Sequence, residues 1–485
     1  MFRSVLYCLV LLLTVLVCAR VRSRSVRLSI LLIASYALYF SWGLWFGGVL
    51  LTSTVMNLWL GESLRRKPTR LVLAIGIVLN LALLGSFKYL PEVATHLPFS
   101  SLLRFEHLAL PLGISFWTFQ AMSYLFDLYR GEELDPSLLE FALYMAFFPV
   151  AISGPICRMP EMLPQFRSEK LAQWNDAGRG FMRIATGILM MQLARLLGQG
   201  ILSGGGINRG FDRLTLWSGP DVWCLAFGYG LQLFFDFAGY SHIAIGAAQA
   251  LGFVVPENFE RPFQSTTPSI FWTRWHMSLS FWIRDYVFFP LATARREVWW
   301  RNLILVVSMV LFGLWHKATV LFLLWGCYHG LLLLLHRQIQ QIERKFDWDS
   351  SATIWTPISW LATIPLISLG WILFRANSVS QAAQMLWAII SPASYVVHFL
   401  SGSLYLLVFL VAAGYATSVL VEDALNRFAA RPETRPAASR STMIDGLARY
   451  RWYWLPPLYA LVLLAVLIVT HGQDAGAAQF MYRRF

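Results

Sequence analysis

Apolar residues arrive in long blocks along nearly the whole chain, at 4–19, 28–42, 44–60, 71–90, 110–128, 138–153, 181–198, 222–240, 302–315, 318–336, 354–373, 403–421 and 453–470. A run of about 20 apolar residues crosses a bilayer as a helix. The blocks therefore predict membrane helices joined by short polar loops. Several are short or hold polar residues, so the pattern leaves the number of true spans open. A further stretch, around 270–290, is too polar to face lipid. No internal repeat and no separate soluble domain stand out. The pattern predicts an all-α, polytopic integral membrane protein in which residues 1–485 form a single transmembrane domain.

Composition agrees. The chain is 57% hydrophobic and 13% charged, about half the charged share of a soluble domain. Its 21 Trp, 18 Tyr and 35 Phe suit interfacial belts, where an amphipathic ring sits at headgroup level. In a soluble chain a net charge of +13 would point to nucleic acid. Here the Arg and Lys fall in short loops between apolar blocks, the pattern of cytoplasmic loops facing anionic lipid. Arg20, Arg22, Arg24 and Arg27 form one cluster, and Arg65, Arg66, Lys67 and Arg70 another. The blocks 28–42 and 44–60 make a hairpin between them, which puts both clusters in the cytoplasm and the N-terminus outside. Loops 337–350 and 422–452 are also basic and are expected on the cytoplasmic side. Arg3 and the apolar stretch to Ala19 resemble a signal peptide, but arginines follow instead of a small-residue cleavage site, so the stretch reads as a retained span. Cys8, Cys18, Cys157, Cys224 and Cys327 form no CxxC pair and read as small buried hydrophobes.

Polar groups at membrane depth are costly and usually line a cavity or pathway. Three stretches hold them. If 269–289 is one helix, Arg274, Ser278 and Asp285 share a face, with His276, Ser280 and Arg284 beside it and Trp272, Phe281 and Phe288 opposite. Such a segment is either re-entrant and buried in protein or an interfacial helix. Arg274 and Asp285 could pair, and His276 could serve structure or chemistry. In 313–330, His316 and His329 lie thirteen residues apart. On a continuous helix that is about 20 Å of rise and about 220° of rotation, which rules out a shared metal. His316, beside Lys317, is expected near an interface. His329 lies deep in the apolar run, flanked by Gly326 and Gly330 at a spacing that admits a neighbouring backbone or a substrate. A neutral histidine there can act as general base on a hydroxyl that attacks an acyl carbonyl; equally, it can bond one carbonyl and pack helices. In 229–246, Asp236 sits among aromatics with Gln232, Tyr240, Ser241 and His242 and needs a partner. No nucleophile–base arrangement accompanies it.

Several of these stretches, in order, carry a resemblance: LLIASYALYFSWG, VLNLALLGSFKY, LPLGISFWTFQAMSYLFDLYRGE, FALYMAFFPVAISGPICR, YGLQLFFDFAGYS, ENFERPFQSTTPSIFWTRWHMSLSFWIRDYVFFPL, GLWHKATVLFLLWGCYHG and LGWILFRANSVSQA. The chain resembles the membrane-bound O-acyltransferase (MBOAT) family, specifically its bacterial alginate O-acetylation branch. RWHMSLSFWIRDY followed by WGxxHG is its most specific part, and the core motifs cover about 110–376. The resemblance implies a ring of helices around a central funnel with re-entrant segments. It implies that His329 is the family histidine, that His276 is a second functional position and that His316 is a third histidine. It implies no bound cofactor or metal, and acetyl-CoA as the donor. The acceptor is an exported polysaccharide such as alginate or cellulose, or an extracytoplasmic acetyltransferase partner. The location is the bacterial inner membrane, multi-pass. The chain departs from the branch at Ala292–Arg296, where Gly-Gly-Asn-Arg is usual. It departs also at Lys317 in place of Gly, at His242 in place of Asp, and at Ala194-Arg195-Leu196, where a Lys pair is common.

The expected mechanism has His329 as general base in a cavity reached from both compartments, with His276, His316, Arg274, Arg284, Asp285 and Asp236 lining or supporting the path. An acyltransferase acting on a lipid, a teichoic acid (D-alanyl transfer) or a protein is the nearest alternative. A transporter, which would show inverted repeats, and a scaffold of a secretion complex are the non-enzymatic ones.

Overall fold

The computed structural model describes residues 2–91, 110–169, 173–200, 205–346, 355–429, 454–461 and 464. Among them the backbone is helical with no strand, and a single antiparallel bridge joins Phe259 to Trp275. The chain divides into two compact units, Met1–Ile184 with Ala244–Glu257, and Ala185–Ile243 with Asn258–Phe485.

The helices are α1 (Phe2–Cys18), α2 (Arg24–Phe40), α3 (Leu44–Arg66), α4 (Arg70–Lys88), α5 (Ile114–Tyr129), α6 (Leu138–Ala146), α7 (Met159–Arg167), α8 (Trp174–Gln199), α9 (Ile207–Arg213) and α10 (Gly219–Ala250). They continue as α11 (Pro268–Arg274), α12 (Met277–Ile283), α13 (Phe289–Ala292), α14 (Val298–His316), α15 (Val320–Lys345), α16 (Trp355–Arg375), α17 (Val379–Ile390) and α18 (Gly402–Ala429). Among the described residues eight are long and apolar enough to cross a membrane: α3, α4, α8, α10, α14, α15, α16 and the Gly402–Ala424 part of α18. The protein is a polytopic all-α membrane protein.

Four of the predicted blocks that lie wholly within the described residues are not among these eight; 4–19 and 28–42 form α1 and α2, of 17 residues each. The 110–128 block becomes α5, whose 16 residues fall short of a bilayer crossing and are buried almost throughout. Its start requires Gly113, which has φ +72°, and a Cβ there would sit 1.8 Å from the Ala151 carbonyl oxygen. The 138–153 block is helical only to Ala146. Ser137 and Glu140 close a capping box at its start, and Phe147 leaves helical space at φ −50°, ψ 100°. The 337–350 stretch, expected as a loop, instead extends α15 to Lys345, with 347–350 outside the described residues. The 422–452 loop begins as the end of α18, and its residues 430–452 lie outside the described residues, as does half of the 453–470 block.

In the first unit, buried polar groups bind helices to one another. Asn57 of α3 and Asn80 of α4 exchange amide hydrogen bonds at 3.1 and 2.7 Å, and both are fully buried. Glu140, only 2% exposed, receives Arg24 and Arg167, while its other oxygen accepts the Ser137 N–H at 2.8 Å. Arg27, also buried, donates to the carbonyls of Arg22 and Ser168. Part of the first basic cluster is thus tied into protein and does not simply face headgroups.

The second unit holds the polar stretch, which is not one helix. α11 ends at Arg274, Trp275 pairs with Phe259, and His276 adopts left-handed backbone (φ 44°, ψ 51°) before α12 begins. The cause is nonlocal. Segment 258–260 lies against 274–277, with Glu260 N–H to the Arg274 carbonyl at 3.0 Å and Met277 N–H to the Asn258 carbonyl at 2.9 Å. Asn258 fixes the corner, accepting from the Ser278 hydroxyl at 2.7 Å and donating to Ser241 at 3.1 Å. Beyond α12 a π-helical turn, Arg284–Phe288, leads into α13.

Candidate functional site

The site is built on the α14–α15 hairpin. Extended backbone at Lys317 and Thr319 folds α15 back along α14, so the continuous helix assumed for His316 and His329 does not exist. Glycines set the approach of the two helices. A Cβ on Gly313 would stand 2.3 Å from the Phe322 carbonyl oxygen, one on Gly326 would stand 2.6 Å from the Val310 Cα, and one on Gly330 would stand 2.9 Å from the Val306 Cα. The pair flanking His329 therefore admits the backbone of α14 and does not open a space for substrate.

That hairpin gathers the three histidines around shared rings. His329 lies edge-to-face with Trp272 of α11 at 5.2 Å, against Trp325 one turn earlier at 4.7 Å, and near Trp371 of α16 at 6.4 Å. Phe312 touches Trp272 at 5.2 Å, stacks on His316 at 5.5 Å and meets His276 at 6.2 Å. His276 also sits 4.6 Å from the Phe237 ring of α10. His316 is only 8% exposed, buried among Trp315, Trp325 and Phe374, although Lys317 beside it is exposed. The expected interfacial position of His316 is thus corrected: the turn, not the histidine, reaches the surface.

Neither ring nitrogen of His329 or of His276 meets a hydrogen-bond partner among the described residues, and the two side chains are 0% and 1% exposed. Buried polar atoms are nearly always paired, so unpaired ones need an explanation. Here the shell adds to the count, since the indole N–H groups of Trp272, Trp325 and Trp371 are likewise buried without an acceptor. His276 lies outside the spanning helices, and burial pushes its imidazole down to about 3, so the ring is neutral at physiological pH.

The expectation of an imidazole open to both compartments is not met in this structure. His329 is sealed, and Gly370 of α16 closes it: a Cβ added there would lie 2.4 Å from Nε2. The α15–α16 contact is pinned nearby, where the Tyr328 hydroxyl donates to the Leu366 carbonyl at 2.7 Å. α16 is tied in turn to the polar stretch by Thr363 to the Thr266 carbonyl at 2.8 Å and by Trp360 to the Phe263 carbonyl at 2.7 Å.

The remaining candidates do not join this shell. Asp285 pairs with its neighbour Arg284 at 2.7 Å, where Arg274 was the expected partner. Arg284 is exposed and lies over the Phe281 ring at 4.7 Å, and the half-buried Arg274 ends α11 on the far side of the break. Asp236 is half-buried in α10 and has no hydrogen-bond or ion-pair partner among the described residues. The sequence reading missed Gly370, Trp325 and Trp371. Trp325 was visible in principle, four residues before His329 and so on the same helical face.

The family model of the membrane-bound O-acyltransferase family matches residues 1–374. The Probable alginate O-acetylase AlgI of Pseudomonas putida is 34% identical over 384 residues, covering 75% of this chain and 74% of that protein. The Peptidoglycan O-acetyltransferase of Helicobacter pylori is 32% identical over 392 residues, covering 73% and 72%. The Teichoic acid D-alanyltransferase of Bacillus subtilis is 29% identical over 315 residues, covering 62% and 76%.

Proposed function

The chain belongs to the membrane-bound O-acyltransferase family, and from that premise we propose that it moves an acetyl group from cytoplasmic acetyl-CoA to hydroxyls of an exported polysaccharide, with His329 as general base. The observation that carries this reading is an imidazole wholly inside protein whose two nitrogens, and the indole N–H groups around it, have no partner among the described residues. A purely packing histidine would satisfy at least one nitrogen on a nearby carbonyl.

The acceptor hydroxyl gives its proton to His329 as its oxygen attacks the thioester carbonyl carbon. The C–S bond then breaks, and the imidazolium returns the proton to the leaving thiolate. The acceptor is the polymer itself or a hydroxyl of an extracytoplasmic acetyltransferase that relays the group. His276, in the same aromatic shell, is a second imidazole available to the bound substrates. The protein acts in the bacterial inner membrane. Transfer requires the closed shell to part, and the contact with Gly370 is where it parts, because no side chain stands between α16 and Nε2.

Inner membranes supplied with labelled acetyl-CoA, from cells with and without the gene, test the substrate class. Loss of labelled ester from an exported polysaccharide is the expected result. Loss confined to a lipid, a teichoic acid or a protein would replace the acceptor, and no loss of any ester would overturn the reading.

A further inference from the structure

The general-base reading leaves a charge unaccounted for. When the hydroxyl adds to the thioester, the carbonyl oxygen becomes an oxyanion, and acyl-transfer sites supply fixed hydrogen-bond donors to it. Among the described residues the ring contacts of His329 are to Trp272, Trp325, Tyr328 and Trp371, none of them cationic. Three of them are tryptophan. Trp272 and Trp325 meet the imidazole at 5.2 and 4.7 Å and touch each other at 5.7 Å. They are 7% and 1% exposed, and each has a buried indole N–H with no acceptor among the described residues.

Buried tryptophan N–H groups ordinarily find a partner. Two that have none among the described residues, on separate helices and both against the same imidazole, remain free to bond a ligand. Trp371 has the same unpaired N–H, but its Nε1 lies against α10, where a Cβ on Gly230 would stand 2.7 Å from it. It abuts the neighbouring backbone and is left out.

We propose that the indole N–H groups of Trp272 and Trp325 form the oxyanion site for the thioester carbonyl, adjoining His329. This rests on the general-base assignment and extends it. The proton goes from hydroxyl to imidazole, the carbonyl π electrons move to oxygen, and the two N–H groups hold that charge. The electrons then return, and the C–S pair leaves with the thiolate. The aromatic shell keeps water away, which strengthens both hydrogen bonds.

The test is steady-state transfer from labelled acetyl-CoA by the full-length protein in lipid nanodiscs, with Trp272→Phe and Trp325→Phe beside His329→Gln. Rates are normalised to folded protein. Removing one oxyanion donor costs about 10²–10³-fold in kcat with little change in KM for the donor. A role limited to packing would lower the folded fraction and leave kcat per folded molecule near wild type. Should a Phe variant fail to fold, 3-benzothienylalanine at the same position keeps the bicyclic shape and removes only the donor. Rates within about twofold of wild type in both positions, with His329→Gln inactive, would sink the oxyanion site and spare the base. An active His329→Gln would remove the base and with it the proposal.

Discussion

Asn57 and Asn80 in the first unit and His329 and Trp272 in the second are all buried polar side chains, yet they are handled in opposite ways. The asparagines bond to each other and to carbonyls of their own helices, Asn57 to Ser53 and Asn80 to Gly76. Glu140 in the same unit is likewise enclosed by Arg24, Arg167 and the Ser137 N–H. The histidine and the tryptophan have unpaired nitrogens among the described residues. Leaving a buried polar group unpaired costs about 1–3 kcal/mol, and such a cost persists where the group is kept for a ligand. In these two clusters the paired groups hold helices together, and the unpaired ones surround His329, the proposed base.

Substitutions break or sharpen that contrast. The largest effect is expected from His329→Ala: acetyl ester on the exported polymer falls by about 10³-fold or more, while expression and thermal stability in detergent stay near wild type. Next is Gly370→Ala. Its Cβ would lie 2.4 Å from Nε2, so the imidazole must move, and a displacement near 1 Å costs about 10²-fold in rate. His276→Asn follows with a loss of about tenfold, roughly one hydrogen bond to bound substrate. The smallest effect on rate belongs to the other unit. Asn80→Leu lowers stability by about 1 kcal/mol, as for interhelical hydrogen bonds in membranes, without changing the rate per folded molecule. A large loss of kcat there, or none at Gly370, would erase the distinction between the two kinds of polar group.

The sequence pattern was informative where the physics is local. Apolar block length located α3, α4, α8, α10, α14, α15, α16 and α18, and the depth of His329 in its apolar run matches its burial. It failed where geometry depends on distant partners. The shared face assigned to Arg274, Ser278 and Asp285 assumed a continuous helix, and the pairing of 258–260 with 274–277 breaks that helix at His276. The same assumption separated His316 from His329 by a long helical rise. The turn at Lys317–Thr319 instead brings both against the Trp325 ring. Gly370 could not be read as part of the site, because a glycine acquires its role from whatever lies opposite it.

The most direct test of the central claim is single-turnover transfer by purified His329→Gln in nanodiscs, with labelled acetyl-CoA and acceptor polymer. The account predicts a correctly folded protein that transfers no label above the uncatalysed rate. Transfer within tenfold of wild type would contradict it.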